Sequence, residues 1–311
     1  MTGRSTEPTL PSRRTFLRMG ALAAVAVPLA AACSPGFDES PDPLGPLLRA
    51  AETDAAGAKA LGAEGEAVAT ARAAHAAALK TEVDRLNRPK PEQSGPAETP
   101  PSSVDALKER LAAARKQAEG LVPSLPRYRA GMVASIAAGC AALQQSSEKL
   151  GRGDDAGAVD VPAGVQLSGE TADAVQQALG AEHAAIWVYG LVSAYLPAAF
   201  GGAVSRGTAE HVKRRNVCER MLSAAGQPPA GPEAAYVPPK PVTDANSAME
   251  LVATAESDVA AAWLGVIDRT DDAALRTTAL NALVGSARRG TAWRAEFGAK
   301  PVAIAMPGQS V

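Results

Sequence analysis

Val175-Gln176-Gln177-Ala178-Leu179-Gly180-Ala181-Glu182-His183-Ala184-Ala185-Ile186-Trp187-Val188-Tyr189 is the stretch that decides the fold. Val175, Leu179, Glu182, Ile186 and Tyr189 recur at steps of four and three, the spacing of one helix face. The stripe is apolar except for Glu182, with His183 beside it. The helix therefore carries a carboxylate toward whatever it packs against, and an interior carboxylate needs a partner or a proton.

Outward from this stretch the pattern stays helical. The first helix is expected over 168–196, with Ser168, Thr171 and Asp173 at its polar start and Pro197 at its end. Gly201-Gly202 leads into a second helix over 204–225, closed by Gly226 and Pro228. Residues 227–243 are rich in proline and too long for a simple hairpin. A third helix starts at Asp244 or Asn246 and runs to Asp268. A fourth is capped by Asp271 or Asp272 and runs to Phe297. Two helices, a long crossing and two more helices make a four-helix bundle with one crossover.

The front of the chain is helical as well. Residues 47–86 carry Leu61, Val68, His75, Leu79, Val83 and Leu86 near one face, with a break between Gly57 and Gly65. Residues 87–101 hold five prolines and must be a loop. Ser102 or Ser103 can cap a helix from Val104, and another helix is expected over 128–150. Residues 151–164, rich in glycine and aspartate, read as a boundary between halves. The fold class is therefore all-α, with a helical region at 47–150 before the bundle at 165–300. Alanine dominates, and Phe, Trp and Tyr together number only eleven, so the helices should pack closely around small side chains. Three or four helices in the front half could form a second, degenerate bundle.

The chain opens with an address. Arg13, Arg14, Phe16 and Leu17 match the twin-arginine export pattern, and the uncharged stretch 19–32 follows. Cys33, directly after three alanines, resembles the lipid-modified cysteine of bacterial lipoproteins. A removable signal at 1–32, a lipid on Cys33 and a flexible tether at 33–46 are expected. They place the protein on the outer face of the cytoplasmic membrane. Residues 1–32 hold Arg4, Arg13, Arg14 and Arg18 against Glu7, so their removal takes the formal charge from −2 to −5. No basic stretch remains to bind nucleic acid. Cys140 and Cys218 are then the only thiols, both in apolar helical settings that favour buried free cysteines over a bridge.

The polar residues on apolar faces are the candidates for chemistry. The second helix lines up Val204, Thr208, His211, Cys218 and Leu222, with Arg214 and Arg215 one turn beyond His211. The third lines up Val252, Glu256, Val259, Trp263 and Val266. The fourth presents Leu280, Leu283, Val284 and Ala287, with Arg288 and Arg289 at the margin. Trp187, Trp263 and Trp293 read as core packing, and His75 as a core or edge histidine. Gly-x-Ser-x-Gly, Gly-x-Gly-x-x-Gly and Cys-x-x-Cys are absent.

Ala178 to Ala185 with Tyr189-Gly190, Glu210-His211 with Arg214-Arg215, the proline-rich crossing and Trp293-Arg294 together resemble a ferritin-like family of actinobacterial exported proteins. The resemblance covers residues 165–308. It implies a site built as in the wider ferritin-like superfamily, where two helices each give a carboxylate and two give Glu-x-x-His. Carried over, Glu182 and Glu256 stand for the two carboxylates. The second helix reads His211-x-x-Arg214, and Arg214 cannot ligate a cation. The fourth helix offers no ligand.

A complete di-metal centre is therefore not expected. The leading expectation is a core ion pair, with Glu182 and Glu256 answered by Arg214, Arg215 or Arg288, in a non-catalytic binding or scaffolding module with an envelope protein partner. The alternative is iron or manganese at a reduced site of Glu182, His183 or His211, and Glu256, serving an oxidase or metal store. A small-ligand carrier is a third possibility.

Overall fold

The computed structural model describes residues 40–86, 88, 99–151, 156–167 and 169–309. The export signal with Arg13 and Arg14, the lipidation residue Cys33 and the cap residue Ser168 lie outside the described residues. Eight α-helices make up the described chain: α1 (Gly45–Ala60), α2 (Glu66–Leu86), α3 (Val104–Leu121), α4 (Arg127–Ser146), α5 (Gly169–Val192), α6 (Gly201–Ala224), α7 (Ala245–Asp268) and α8 (Ala273–Glu296). Single 3-10 turns join several of them, and the described residues contain no strand. None of these helices is long and apolar enough to cross a membrane.

Local chemistry sets the helix ends. The Ser103 Oγ accepts the Ala106 N–H at 3.1 Å, and the Asp272 carboxylate accepts that of Leu275 at 2.7 Å. Asp244 and Ser247 form a reciprocal capping box at the start of α7. Two boundaries move from their expected places: α5 ends at Val192, before Pro197, and α6 begins at Gly201, so the glycine pair is helical and not a linker.

Side-chain pairs fix how the last four helices run. Trp263 meets Glu182 and Glu256 meets Tyr189, so α7 runs opposite to α5. The crossing segment travels along α5, from Gln176, bonded to the Pro228 carbonyl and the Ala230 N–H, to Trp187, whose ring lies 5.6 Å from that of Tyr236. It thereby returns the chain to the far end before α7 starts. Helix α5 packs on α6 and α7, and α7 on α8, whereas α6 and α8 do not pack closely. The bundle is open along that one side.

The front helices pair as α1 with α2 and α3 with α4, and α4 also packs on α8 and α7. Helix α4 is shared by both halves and is buried almost continuously from Arg129 to Gln144. The described residues from Ser40 on form one compact unit, in which the front helices pack on the bundle. The expected boundary is part of the packing: Val159 is buried, and Thr278 and Asn281 of α8 donate to the carbonyls of Asp160 and Ala158. The expected tether is also too long at its end. Asp42 and Leu44 are already buried, and Arg129 grips both Asp42 oxygens at 2.8 and 2.7 Å. Its charge needs that buried counter-ion, which draws the segment in.

The bundle does not close at residue 300 either. Residues 301–309 lie across α4, where the Ser135 Oγ donates to the Pro307 carbonyl at 2.8 Å and His75 Nε2 donates to the Ala305 carbonyl at 2.7 Å. The approach is possible because residue 139 has no side chain: a Cβ on Gly139 would overlap the Ala305 carbonyl. Gly139→Ala should cost about 1–3 kcal/mol, as overpacking does. A urea titration showing less than half a kcal/mol would mean that the terminal segment is not seated there.

Candidate functional site

Glu182 of α5, His211 of α6 and Glu256 of α7 meet at the centre of the bundle, all fully buried. His211 bridges the two carboxylates, with Nδ1 2.6 Å from Glu182 Oε2 and Nε2 3.1 Å from Glu256 Oε1. An ionised carboxylate only accepts, so both ring nitrogens must donate and the ring is an imidazolium. The electrostatics agree. Burial acts to lower the His211 pKa, but Glu256 and Glu182 outweigh it and raise the value. Burial likewise acts to raise the Glu256 pKa, yet Arg289 and His211 hold it well below the usual carboxylate range.

The remaining donors saturate both acids. Trp263 Nε1 donates to Glu182 Oε1 at 2.7 Å. Glu256 Oε1 accepts from the Tyr189 hydroxyl at 2.7 Å and from Arg289 Nε at 2.7 Å, and Arg289 Nη2 reaches Oε2 at 3.2 Å. Trp293 Nε1 supports the Tyr189 oxygen from behind at 3.2 Å. Gly207 makes room for this, because a Cβ there would overlap the Tyr189 ring.

The structure brings Glu182, His211 and Glu256 together, and the arginine bonded to them is Arg289, not the Arg214, Arg215 or Arg288 that the sequence offered. Arg289 bonds Glu256 directly; Arg214 feels the charge of both acids but bonds neither, and Arg288 points elsewhere. Helix rotation is the reason: each residue turns the helix by about 100°, and Ser286, Arg289 and Trp293 form the stripe that meets Arg214, Glu256 and Tyr189. Arg288 looks toward α4, with Nη2 3.5 Å from Gln145 Oε1. Arg214 is buried but donates to Ser286 Oγ at 2.9 Å. His183 stands apart from the cluster, its buried Nε2 without a hydrogen-bond partner.

Arg289, Ser286 and the donor roles of Trp263 and Tyr189 escaped the sequence reading. Serine and two aromatics on an apolar face read as packing. Only the spacing of Ser286, Arg289 and Trp293 hinted that Arg289 shares the inward face.

Metal fits this donor set poorly. A divalent cation would have to displace the Arg289 guanidinium from Glu256 and take a proton from His211 to gain a nitrogen ligand. It would then sit against a fixed positive charge. Among the described residues, no three metal-ligating side chains are arranged to hold a metal ion.

Residues 174–311 match the family model of a domain of unknown function, DUF4439. The matched span contains every member of the central cluster. A solved structure, the conserved hypothetical protein rv2844 from Mycobacterium tuberculosis, is 36% identical over 44% of this chain and 97% of its own, with a TM-score of 0.41. No curated protein is significantly similar to the chain.

A second buried network is built on side chains outside the DUF4439 span and reaches into it at Ala305. Arg72 donates to Asp54 Oδ2 from Nε at 3.1 Å and from Nη2 at 2.8 Å, and Arg110 bonds the other Asp54 oxygen. Arg72 Nη1 donates to His75 Nδ1 at 3.2 Å, which leaves the proton on Nε2 for Ala305. Burial, then the Arg72 charge, pushes the His75 pKa down to about 3, so the ring is neutral. Cys140 lies 3.7 Å from the same guanidinium. Cys140 and Cys218 are buried free thiols whose pKa values burial raises. These groups hold the front helices to the terminal segment.

Proposed function

We propose that this chain is an exported, lipid-anchored envelope protein whose ferritin-like bundle has exchanged a metal centre for an ion-paired core. It acts as a non-catalytic binding module at the outer face of the cytoplasmic membrane. The observation that carries this reading is the neutralisation of Glu256 and Glu182 by Arg289 and protonated His211. Cationic side chains take the place in which a ferritin-like protein holds its metals. Export and anchoring rest on Arg13, Arg14 and Cys33 in the sequence.

Metal analysis of the full chain, exported natively and purified from membranes after growth in iron and manganese, tests the core. The expected result is far below one metal per chain, and the same in Glu256→Ala. Near-stoichiometric iron or manganese that disappears in Glu256→Ala would overturn the reading. Cys33→Ser should move the protein from the detergent-extracted membrane fraction to the soluble one and abolish palmitate labelling; no shift would remove the anchor from the proposal.

A further inference from the structure

The open side of the bundle is where positive charge collects. A cleft of about 560 Å³ runs between α6 and α8, with Gln145 of α4 on its wall. That volume lies in the range of small-molecule sites. Arg206 and Arg214 enter it from α6, and Arg288 and Arg289 from α8. Phe200 and Trp293, whose rings lie 5.7 Å apart, form an apolar end. Two acids share the lining, Glu210 and Glu296, so the guanidinium groups outnumber them.

Arg214 is the telling group. Its side chain is 1% exposed and its Nη1 donates to Ser286, an oxygen already shared with Arg289 Nη2 at 3.2 Å. Glu210 lies 3.3 Å from Arg214 Nε, but out of line for a hydrogen bond, and that N–H is left unsatisfied. Two guanidinium groups thus crowd one hydroxyl. Burial first, and the Arg289 charge second, lower the Arg214 pKa against the opposing pull of Glu182, Glu256 and Glu210. Gly285 makes this possible, since a Cβ there would collide with Arg214 Nη2. A glycine has been placed where the guanidinium must lie on the cleft wall. An unsatisfied buried donor on a side chain that lines a cleft calls for an acceptor, and guanidinium groups bind oxyanions best when two donors meet two oxygens.

We infer that the α6–α8 cleft binds a small oxyanion with an apolar body, its carboxylate or phosphate head held by Arg206, Arg214 and Arg288. The body lies against Phe200 and Trp293. This supplies the ligand class of the binding module and rests on that reading, because Arg289 must stay on Glu256 for the cleft to keep its shape.

Titration calorimetry of the full chain with phenyl phosphate and with benzoate tests it, using inorganic phosphate for the head alone and benzyl alcohol for the body alone. One site per chain is expected, with an aromatic oxyanion bound more tightly than either part. The stronger of phenyl phosphate and benzoate identifies the head. Arg206→Gln, at an exposed position, and Arg288→Gln should each weaken binding about tenfold. Phe200→Ala should reduce the preference over inorganic phosphate. Absence of heat with both aromatic probes at about 10 mM, or equal affinity in Arg206→Gln and the parent protein, overturns the assignment. Metal content measured on the same sample separates the two failures: a metal-free protein that binds neither probe loses the ligand but keeps the ion-paired core.

Discussion

Glu256→Ala is expected to destabilise the fold by about 3–5 kcal/mol, the range for removing one partner of a buried charge pair. Glu256 has no exposed surface, and its Oε1 alone accepts from His211, Tyr189 and Arg289. Truncation leaves three donors in the bundle centre with no acceptor, besides the lost attraction. Urea denaturation measures the change, and a loss below about 1 kcal/mol would show that the acid is not the hub. Arg289→Ala should cost less, because the Arg289 side chain is 23% exposed and His211 remains to neutralise Glu256. The double variant should fall short of the sum of the two.

The cluster also fixes a pH window. Glu256 is depressed below its ordinary 4.5, so its contribution is present above that pH and is lost as pH falls through the folded value. His211 is raised above its ordinary 6.5, so its contribution is complete below that pH and is lost as pH rises through the folded value. The core is thus strongest between the two, and Glu256→Ala should flatten both limbs.

Asp54→Ala should be of similar size, about 3–5 kcal/mol, in the other half of the molecule. Arg72 has no exposed surface, and without Asp54 its guanidinium keeps only the His75 ring and the Cys140 sulfur. Asp54→Asn keeps an acceptor and should lose clearly less. The two single losses should add when combined with Glu256→Ala, since the networks share no residue. His75 gives this network its own acid limb. Its pKa is about 3 in the fold against 6.5 when unfolded, so stability is full above 6.5 and declines as pH falls toward 3. His75→Gln should remove that decline while leaving the slope due to Glu256.

The bundle was legible in the sequence where an apolar stripe was interrupted by charge. The spacing in α5 and α7 was enough to send Glu182 and Glu256 inward, and Asp244 and Asp272 announced the helix starts. The partner of Glu256 was not legible, because Arg288 and Arg289 differ by one step of rotation on a helix rich in small residues. Helix α4 was legible as a helix over 128–150, but its place in the shared core was not. Alanine and glycine cover nearly all its sides, so burial all round leaves no period to detect. The terminal residues 301–309 carry no helical pattern and had nothing to mark them as structural.

The contacts made by that terminal segment set the order of events in folding. His75 waits for Ala305 across 230 residues, and Ser135 waits for Pro307 across 172. Closing loops of that length is slow, since the chain entropy is lost before the contacts form. The front helices therefore cannot reach their final packing ahead of the bundle. Half-made states have little to hold them, and unfolding should appear as one cooperative transition with the same midpoint for both halves.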